Sequence, residues 1–339
     1  MLKIGKTQIT LANSRSFLTQ NAIYAVLVAL VAGIAIIDPS FLSFNCLRDI
    51  LLQSSTRTII ALGAGFILIT GGTDLSAGRV VGLSAVISAS MLQTADYARR
   101  FYPDLAQIPI IIPILIAVIA GLIIGLINGV IVSKLNVPPF IATLGTMVGV
   151  YGLNSIYFDT HPNDSQPIAG LRESFTNLGS GYIGIMPVIV LIAAVVAVVV
   201  WIVFNKTILG KYMYAIGGNK EAALVSGINV SKTLIIIYSI AGALYGLAGV
   251  LEASRTGGAT NNYGNMYELD AIAACVVGGV STSGGIGTVP GILSGVLIFS
   301  VINYGLTFIG VNPNWQLIIK GLIIIAAVAF DIRKYLSKK

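Results

Sequence analysis

Apolar residues along this chain gather in long runs separated by short polar breaks. A helix needs about 20 predominantly apolar residues to cross the hydrocarbon core of a bilayer. About ten stretches meet or approach that length: 20–37, 46–70, 79–95, 108–133, 139–158, 184–204, 232–250, 268–282, 290–309 and 315–331. The pattern predicts an all-α polytopic membrane protein, with 1–339 forming a single membrane domain. One stretch is short. Leu269 to Gly279 lies between Glu268-Leu269-Asp270 and a run of glycines. It reads as a short or broken helix packed inside protein, because irregular backbone at membrane depth is tolerated only there.

The first apolar run follows Lys3, Lys6 and Arg15, an arrangement similar to a secretory signal. It ends in Asp38-Pro39-Ser40 with no small-residue cleavage site, so it is expected to stay as the first transmembrane helix. Two polar connections are long: 159–183 and 205–231.

Composition agrees with lipid as the main solvent. Hydrophobic residues make up 56% of the chain and charged residues 10%, with mean hydropathy +0.91. A soluble domain carries about 25% charged residues. The net charge of +7 would suggest nucleic acid as a partner in a soluble protein. In a membrane protein it reflects the gathering of basic residues on cytoplasmic loops.

With the N-terminus in the cytoplasm, the inside holds Lys3, Lys6, Arg15, Arg79, Lys134, Lys206, Lys211, Lys220, Lys232, Arg333, Lys334, Lys338 and Lys339, or 13 of the 20 basic residues. Arg48, Arg57, Arg99, Arg100, Arg172, Arg255 and Lys320 remain for the outer side or the outer helix halves. This asymmetry predicts N-in and C-in topology, with 205–231 cytoplasmic and 159–183 periplasmic. Arg99 and Arg100 are the awkward pair, and Asp96 and Asp104 are placed to offset them.

The 38 glycines are read as packing devices, with Gly121, Gly125 and Gly129 at four-residue spacing. Helices in lipid have little hydrophobic drive to associate, and small faces let them approach closely. Cys46 and Cys275 sit in apolar surroundings and read as free buried thiols. His161 lies in a polar loop beside Asp159 and Asp164 and reads as solvated. Neither a metal nor a cofactor is expected.

The loop 205–231 carries the sharpest motif, Gly217-Gly218-Asn219-Lys220-Glu221-Ala222-Ala223-Leu224-Val225-Ser226-Gly227. Gly217, Gly218 and Asn219 are expected to turn the chain. Asn219 is suited to cap a short helix that carries Glu221 at its positive end. Ala222 and Ala223 favour helix and keep its flank thin. Gly227 is suited to end it. This Glu-Ala-Ala-x-x-x-Gly pattern resembles the coupling loop of bacterial ABC-importer permeases.

The rest of the chain extends the likeness. Gly71-Gly72-Thr73-Asp74-Leu75-Ser76-Ala77-Gly78-Arg79 resembles a segment of the ribose/galactose permease family. Glu268-Leu269-Asp270-Ala271-Ile272, then Gly278-Gly279-Val280-Ser281 and Gly284-Gly285-Ile286-Gly287-Thr288, resemble that family's second signature. Leu144-Gly145-Thr146-Met147, Tyr304-Gly305-Leu306-Thr307 and Asn312-Pro313 also fit. The stretch Ser254 to Gly279 looks most similar to the galactose/methyl-galactoside members, although permeases for ribose or xylose share most of these features. The loop 159–183 is among the least family-like parts.

The resemblance implies a division of labour in a bacterial inner membrane. Two permease copies form the pathway as a homodimer, a cytoplasmic ATP-binding subunit hydrolyses ATP, and a periplasmic sugar-binding protein delivers a neutral sugar. The residues agree with their share. Gly5-Lys6-Thr7 holds only the end of a phosphate-binding loop, and Gly210-Lys211-Tyr212 breaks the pattern. ATP hydrolysis is therefore expected in another subunit.

A neutral sugar needs polar groups without strong fixed charge along its path. Gln53, Asn128, Thr143, Thr146, Asn154 and Asn303 are candidates on helices, each equally able to join helices by hydrogen bonds. Asp74, Arg79, Glu268 and Asp270 are ionisable residues at span ends. Asp74 and Arg79 are close enough in sequence to pair or to brace a gate. Arg57 is the deepest charge in the second span and requires a carboxylate or backbone carbonyls nearby.

Three rival classes fit less well. An ion-coupled transporter needs buried acids or histidines, whereas acids here cluster at span ends. An intramembrane enzyme finds few catalytic groups. A passive channel needs no docking loop for a motor.

Overall fold

The computed structural model describes residues 22–336, with side chains described for 27–326, 328 and 329. Lys3, Lys6, Arg15, Lys338 and Lys339 lie outside the described residues, as do the side chains of Arg333 and Lys334. That part of the charge argument therefore has no structural counterpart.

Thirteen α-helices occur among the described residues. They are α1 (Ala22–Ile37), α2 (Phe44–Ile69), α3 (Ala77–Met91), α4 (Ile111–Lys134), α5 (Pro139–Phe158), α6 (Glu173–Ser180) and α7 (Val188–Lys206). There follow α8 (Ile208–Gly218), α9 (Lys220–Val225), α10 (Val230–Thr256), α11 (Tyr267–Val277), α12 (Val289–Phe308) and α13 (Pro313–Leu336). A small hairpin, β1 (Tyr182–Ile183) against β2 (Met186–Pro187), leads into α7.

A helix overlaps each apolar stretch read from the sequence. Six of them, α2, α4, α5, α7, α10 and α12, are long and apolar enough to cross a membrane. The 15 residues of α3 rise only about 22 Å, short of a hydrocarbon core of about 30 Å. The stretch starting at 184 begins as a helix only at Val188, because the hairpin occupies its first residues. The stretch ending at 250 continues as helix to Thr256, past two charges that hydropathy alone excludes.

The core is built around α2 and α10. Ile59, Ile60, Leu62, Phe66, Ile67 and Ile69 of α2 are fully buried, as are Ile237 and Tyr245 of α10. By contrast α4 exposes Ile111, Leu115, Ile119, Leu122 and Ile123, and α5 and α7 expose similar rows. In water such faces would aggregate; in lipid they are solvated.

The glycines of α4 work as their spacing predicts. A Cβ on Gly121 would collide with the carbonyl of Gly242, and one on Gly125 with the carbonyl of Tyr238. A Cβ on Gly129 would lie 2.8 Å from the Cα of Ile235. Backbone therefore packs directly on backbone where α4 crosses α10.

The long α10 defines two ends of the bundle. At its start, Ser231 Oγ donates to Ser133 Oγ at 3.1 Å, beside the end of α4 and the α8–α9 connection. At its other end, Ser254 Oγ donates to the carbonyl of Phe175 in α6 at 2.6 Å.

The predicted short helix is α11, with 11 residues. It does not stand alone. The irregular segment 257–266 starts at the α6 end, where Ala259 bridges Ile168. It then descends until Gly264 packs on Gly78. Next α11 continues, and the loop after it reaches the α8–α9 end, where Gly285 N donates to the Ile69 carbonyl at 2.8 Å. Residues 257–277 thus make one traverse in two halves, one irregular and one helical.

Candidate functional site

The short helix α9 is built by local chemistry. Asn219 is extended (φ −161°), and its side chain accepts from the backbone N–H of Ala222 at 2.9 Å. Glu221 sits in the first turn, where the helix dipole favours a carboxylate. At the other end Gly227 has φ +84°. Its N–H donates to Leu224 O at 3.0 Å, and Ile228 N–H donates to Ala223 O at 3.1 Å. This is the Schellman closure, which needs a left-handed residue at Gly227. Ser226 Oγ donates back to Ala222 O at 2.8 Å. Ala223 is buried against Ile216, Val230 and Leu234, which fixes α9 to the bundle. The outward side shows Leu224 at 46% and Val225 at 90% exposure. A rigid helix therefore offers two apolar side chains and an acid to whatever lies beyond this end.

Gly217 and Gly218 do not turn the chain as expected. Both are the last helical residues of α8, and the direction changes at Asn219. Gly217 is glycine for another reason. A Cβ there would run into the carbonyl of Ile69 and lie 2.5 Å from Gly285 N. Gly284, at φ +87°, packs between Gly217 and Gly71. The end of α2, the end of α8 and the loop after α11 thus meet backbone to backbone. Tyr214 Oη adds a hydrogen bond to Gly287 O at 2.8 Å.

A second polar group joins α3, α4 and α5. Asp74 does not pair with Arg79. Its Oδ1 accepts from Ser76 N–H (2.8 Å) and Ser76 Oγ (2.6 Å), an Asx turn that is satisfied locally. Asn128 Nδ2 donates to Ser76 Oγ at 2.9 Å, and Thr146 Oγ1 donates to Asn128 Oδ1 at 2.6 Å. Thr143 Oγ1 accepts from Leu75 N–H at 3.1 Å. Asp74, Asn128 and Thr143 are buried. Three of the residues named as path candidates, Asn128, Thr143 and Thr146, are therefore occupied in holding helices together.

Arg79 turns instead toward α5 and the irregular segment. Its Nη2 donates to Asn265 Oδ1 at 2.7 Å, and its Cζ lies 4.3 Å from the Tyr151 ring centroid. Asn154 is buried one turn beyond Tyr151, and its Nδ2 donates to Asn261 O at 3.3 Å. Glu268 is buried against Gly78, where any side chain would meet its carboxylate.

The partner of Arg57 is Asp270. Nη1 to Oδ2 is 3.2 Å, and Lys320 Nζ reaches the same oxygen at 3.2 Å. The Arg57 guanidinium also lies 3.3 Å from the ring centroid of Tyr267. Tyr267 Oη donates to Glu252 Oε1 at 3.0 Å. Arg255 Nη2 donates to the same oxygen at 2.8 Å, and Thr56 Oγ1 donates to Glu252 Oε2 at 2.9 Å. Asn303 borders a small cavity beside Arg57 and Asp270. Gln53, one turn from Arg57, is exposed and joins none of these groups.

Several of these residues escaped sequence reading. Glu252 and Arg255 lie past the end of the apolar stretch 232–250, yet both belong to α10 and pair at i, i+3. That spacing was the available signal. Lys320, Tyr267, Tyr151 and Asn265 carry none in the sequence. At the α6 end, Arg100 donates to the carbonyls of Pro103 (2.8 Å) and Leu105 (2.5 Å). Among the described residues neither Arg99 nor Arg100 forms an ion pair with Asp96 or Asp104. For Arg100, carbonyls take the place expected for an aspartate.

Comparison with known proteins adds a lineage to this geometry. Residues 46–328 match the family model described as branched-chain amino acid transport system / permease component. The chain is 56% identical over 335 residues to the galactose/methyl galactoside import permease protein MglC of Haemophilus influenzae, covering 97% of this chain and 99% of that protein. It is 54% identical to the protein of the same name from Escherichia coli K12, covering 96% of this chain and 99% of that protein. It is 40% identical to the ribose import permease protein RbsC of Bacillus subtilis, over 91% of each chain. No solved structure matches. With a model match over most of its length and relatives aligned nearly end to end, this chain belongs to the branched-chain amino acid transport system / permease component family.

Proposed function

We propose that this chain is the membrane permease subunit of an ATP-driven ABC importer in a bacterial inner membrane, and that it moves galactose or methyl galactoside into the cytoplasm. The carrying observation is the near end-to-end similarity at 54–56% identity to two proteins named for that import, against 40% to a ribose permease. The capped helix α9, with Glu221 and the exposed Val225, supports the same reading as a docking element.

In this reading 205–231 is the cytoplasmic coupling loop. Gly217, Gly218, Asn219, Glu221, Ala222, Ala223, Ser226 and Gly227 build and place the helix that a separate ATP-binding subunit grips. Residues 159–183 face the periplasm and meet a sugar-binding protein. The helices α1 to α5, α7, α10, α12 and α13, together with the two-part traverse 257–277, make ten crossings, N-in and C-in. Two copies form the pathway.

Coupling then follows from rigidity. Force on α9 passes to α8, and Gly217 transmits it by direct backbone contact to Ile69 and the loop after α11. A flexible side-chain contact at this point would absorb the displacement.

The test is uptake of labelled methyl galactoside by cells lacking their own galactose permease and supplied with this chain and its partner subunits. Uptake blocked by excess galactose and not by excess ribose is expected. Uptake blocked by ribose alone would replace the assigned sugar, and no uptake of either would reject the reading.

A further inference from the structure

With the ten crossings proposed above, the polar patch around Arg79 and Tyr151 lies at a depth where it cannot face lipid. Gly82, which packs against the Tyr263 carbonyl, precedes the end of α3 at Leu92 by ten residues. At 1.5 Å per residue that is about 15 Å, or half of a hydrocarbon core of about 30 Å. Leu92 itself is tied to the α6 end, since its carbonyl accepts from Arg172 N–H at 2.9 Å. At the depth of Gly82 the segment 257–266 is irregular, and Asn262, Asn265 and Met266 are exposed. Tyr151 is 39% exposed. Exposed amides and irregular backbone at the bilayer midplane occur only against a water-filled cavity or other protein.

The patch also has unused hydrogen-bonding capacity. Arg79 Nη1 and Asn154 Oδ1 are buried without a partner. Asn154 is 1% exposed, so the orphaned oxygen is not a surface accident. Arg79 makes no ion pair among the described residues. A buried polar atom left unmatched costs roughly 1–3 kcal/mol, so either atom would be stabilised by a polar partner that reached it when the patch opens.

We infer that Arg79, Tyr151, Asn154, Asn262 and Asn265 form a transient binding station for a neutral monosaccharide, halfway along its path. This rests on the reading of the chain as a sugar permease and locates the sugar within it. The chemistry fits the class. Amides and a guanidinium offer donors and acceptors to vicinal hydroxyls, and a phenol ring offers an apolar face to the C–H side of a pyranose. Glu268 lies within electrostatic reach of Arg79 without a direct ion pair, so the guanidinium stays available to hydroxyls, and a neutral guest has no strong ionic anchor and can leave. The rival occupant, a second copy of the chain, would have to bury an unpaired Arg79 in the contact.

The experiment uses the assembled importer, permease with its ATP-binding subunit and sugar-binding protein, in proteoliposomes. Asn265→Ala and Tyr151→Leu are compared with the parent for galactose uptake, ATP hydrolysis stimulated by loaded binding protein, and size of the assembly. The expected result is about a tenfold fall in sugar moved per ATP, the scale of one lost hydrogen bond, with stimulated hydrolysis and assembly size unchanged. A preference between galactose and glucose that shifts in Asn265→Ala would support the station further. Unchanged sugar moved per ATP in both variants overturns it. Loss of the two-copy assembly also overturns it and assigns the patch to a subunit contact. Failure of the parent to move galactose at all would reject the permease reading itself, an outcome separable from either.

Discussion

Arg57 and Asp270, 213 positions apart in sequence, meet at 3.2 Å and tie the middle of α2 to the start of α11. The same Asp270 oxygen receives Lys320, so one carboxylate holds two cations from different helices. The arrangement pins the top of the helical half of the broken traverse. Asp270→Asn leaves both cations short of a counter-charge. We expect a loss of about 1.5–3 kcal/mol, the range for a hydrogen bond to a charged group, seen as earlier thermal unfolding of the purified permease in detergent. A double-mutant cycle with Lys320→Met should return a coupling energy above about 0.5 kcal/mol. Additive losses would remove the Asp270–Lys320 pair from the account.

Adjacent glycines should behave oppositely. Gly217→Ala places a methyl group against the Ile69 carbonyl, whereas nothing lies within 4 Å of the same position on Gly218. Overpacking of this kind costs about 1–3 kcal/mol, and here it also spreads the junction proposed to carry force from α8. Uptake should fall in Gly217→Ala and persist in Gly218→Ala. Equal uptake by the two variants would show that the junction transmits nothing.

A second contrast separates packing glycines from open ones. Gly125 faces the backbone of Tyr238 and Gly242, whereas Gly149 on α5 has open space around it. Gly125→Leu should prevent recovery of folded, monodisperse permease. Gly149→Leu should leave the melting temperature of the isolated subunit within a few degrees of the parent, because it meets no neighbour within the chain.

Docking at α9 is tested by breaking its shape and its charge separately. Gly227→Val forces a branched residue into a left-handed conformation, at a cost of about 1–2 kcal/mol. Glu221→Lys inverts the charge at the helix start. Both should lower binding of the ATP-binding subunit in pull-down from detergent and lower uptake, while the permease still inserts. Full transport by both variants would remove α9 from the motor interface.

What was legible in the sequence follows the range of the forces involved. Helix positions were readable because lipid demands runs of apolar residues whatever the neighbours are. The cap at Asn219 and the stop at Gly227 were readable because each is satisfied within four residues. The pairing of Arg57 was not, since chain topology alone brings Asp270 to it. Nearness in sequence misled for Asp74 and Arg79. The Asx turn satisfies the acid locally, and the first turn of α3 aims the base at Asn265. Gly217 looked like a turn residue and proved to be a close-approach residue, a distinction that only a neighbour's backbone can make. Of the polar residues named for the path, Asn128, Thr143 and Thr146 are bonded between helices, while Arg79 meets Asn265 and Tyr151 and Asn154 meets the Asn261 carbonyl, partners that carry no signal in the sequence.

The most direct test of the account is uphill galactose transport into proteoliposomes loaded with binding protein outside and ATP inside. With the permease and its ATP-binding subunit present, accumulation above the external concentration should survive an uncoupler and vanish when ATP is omitted. Accumulation by the permease alone, or its loss on adding the uncoupler while ATP remains, would contradict a conduit opened by a separate motor.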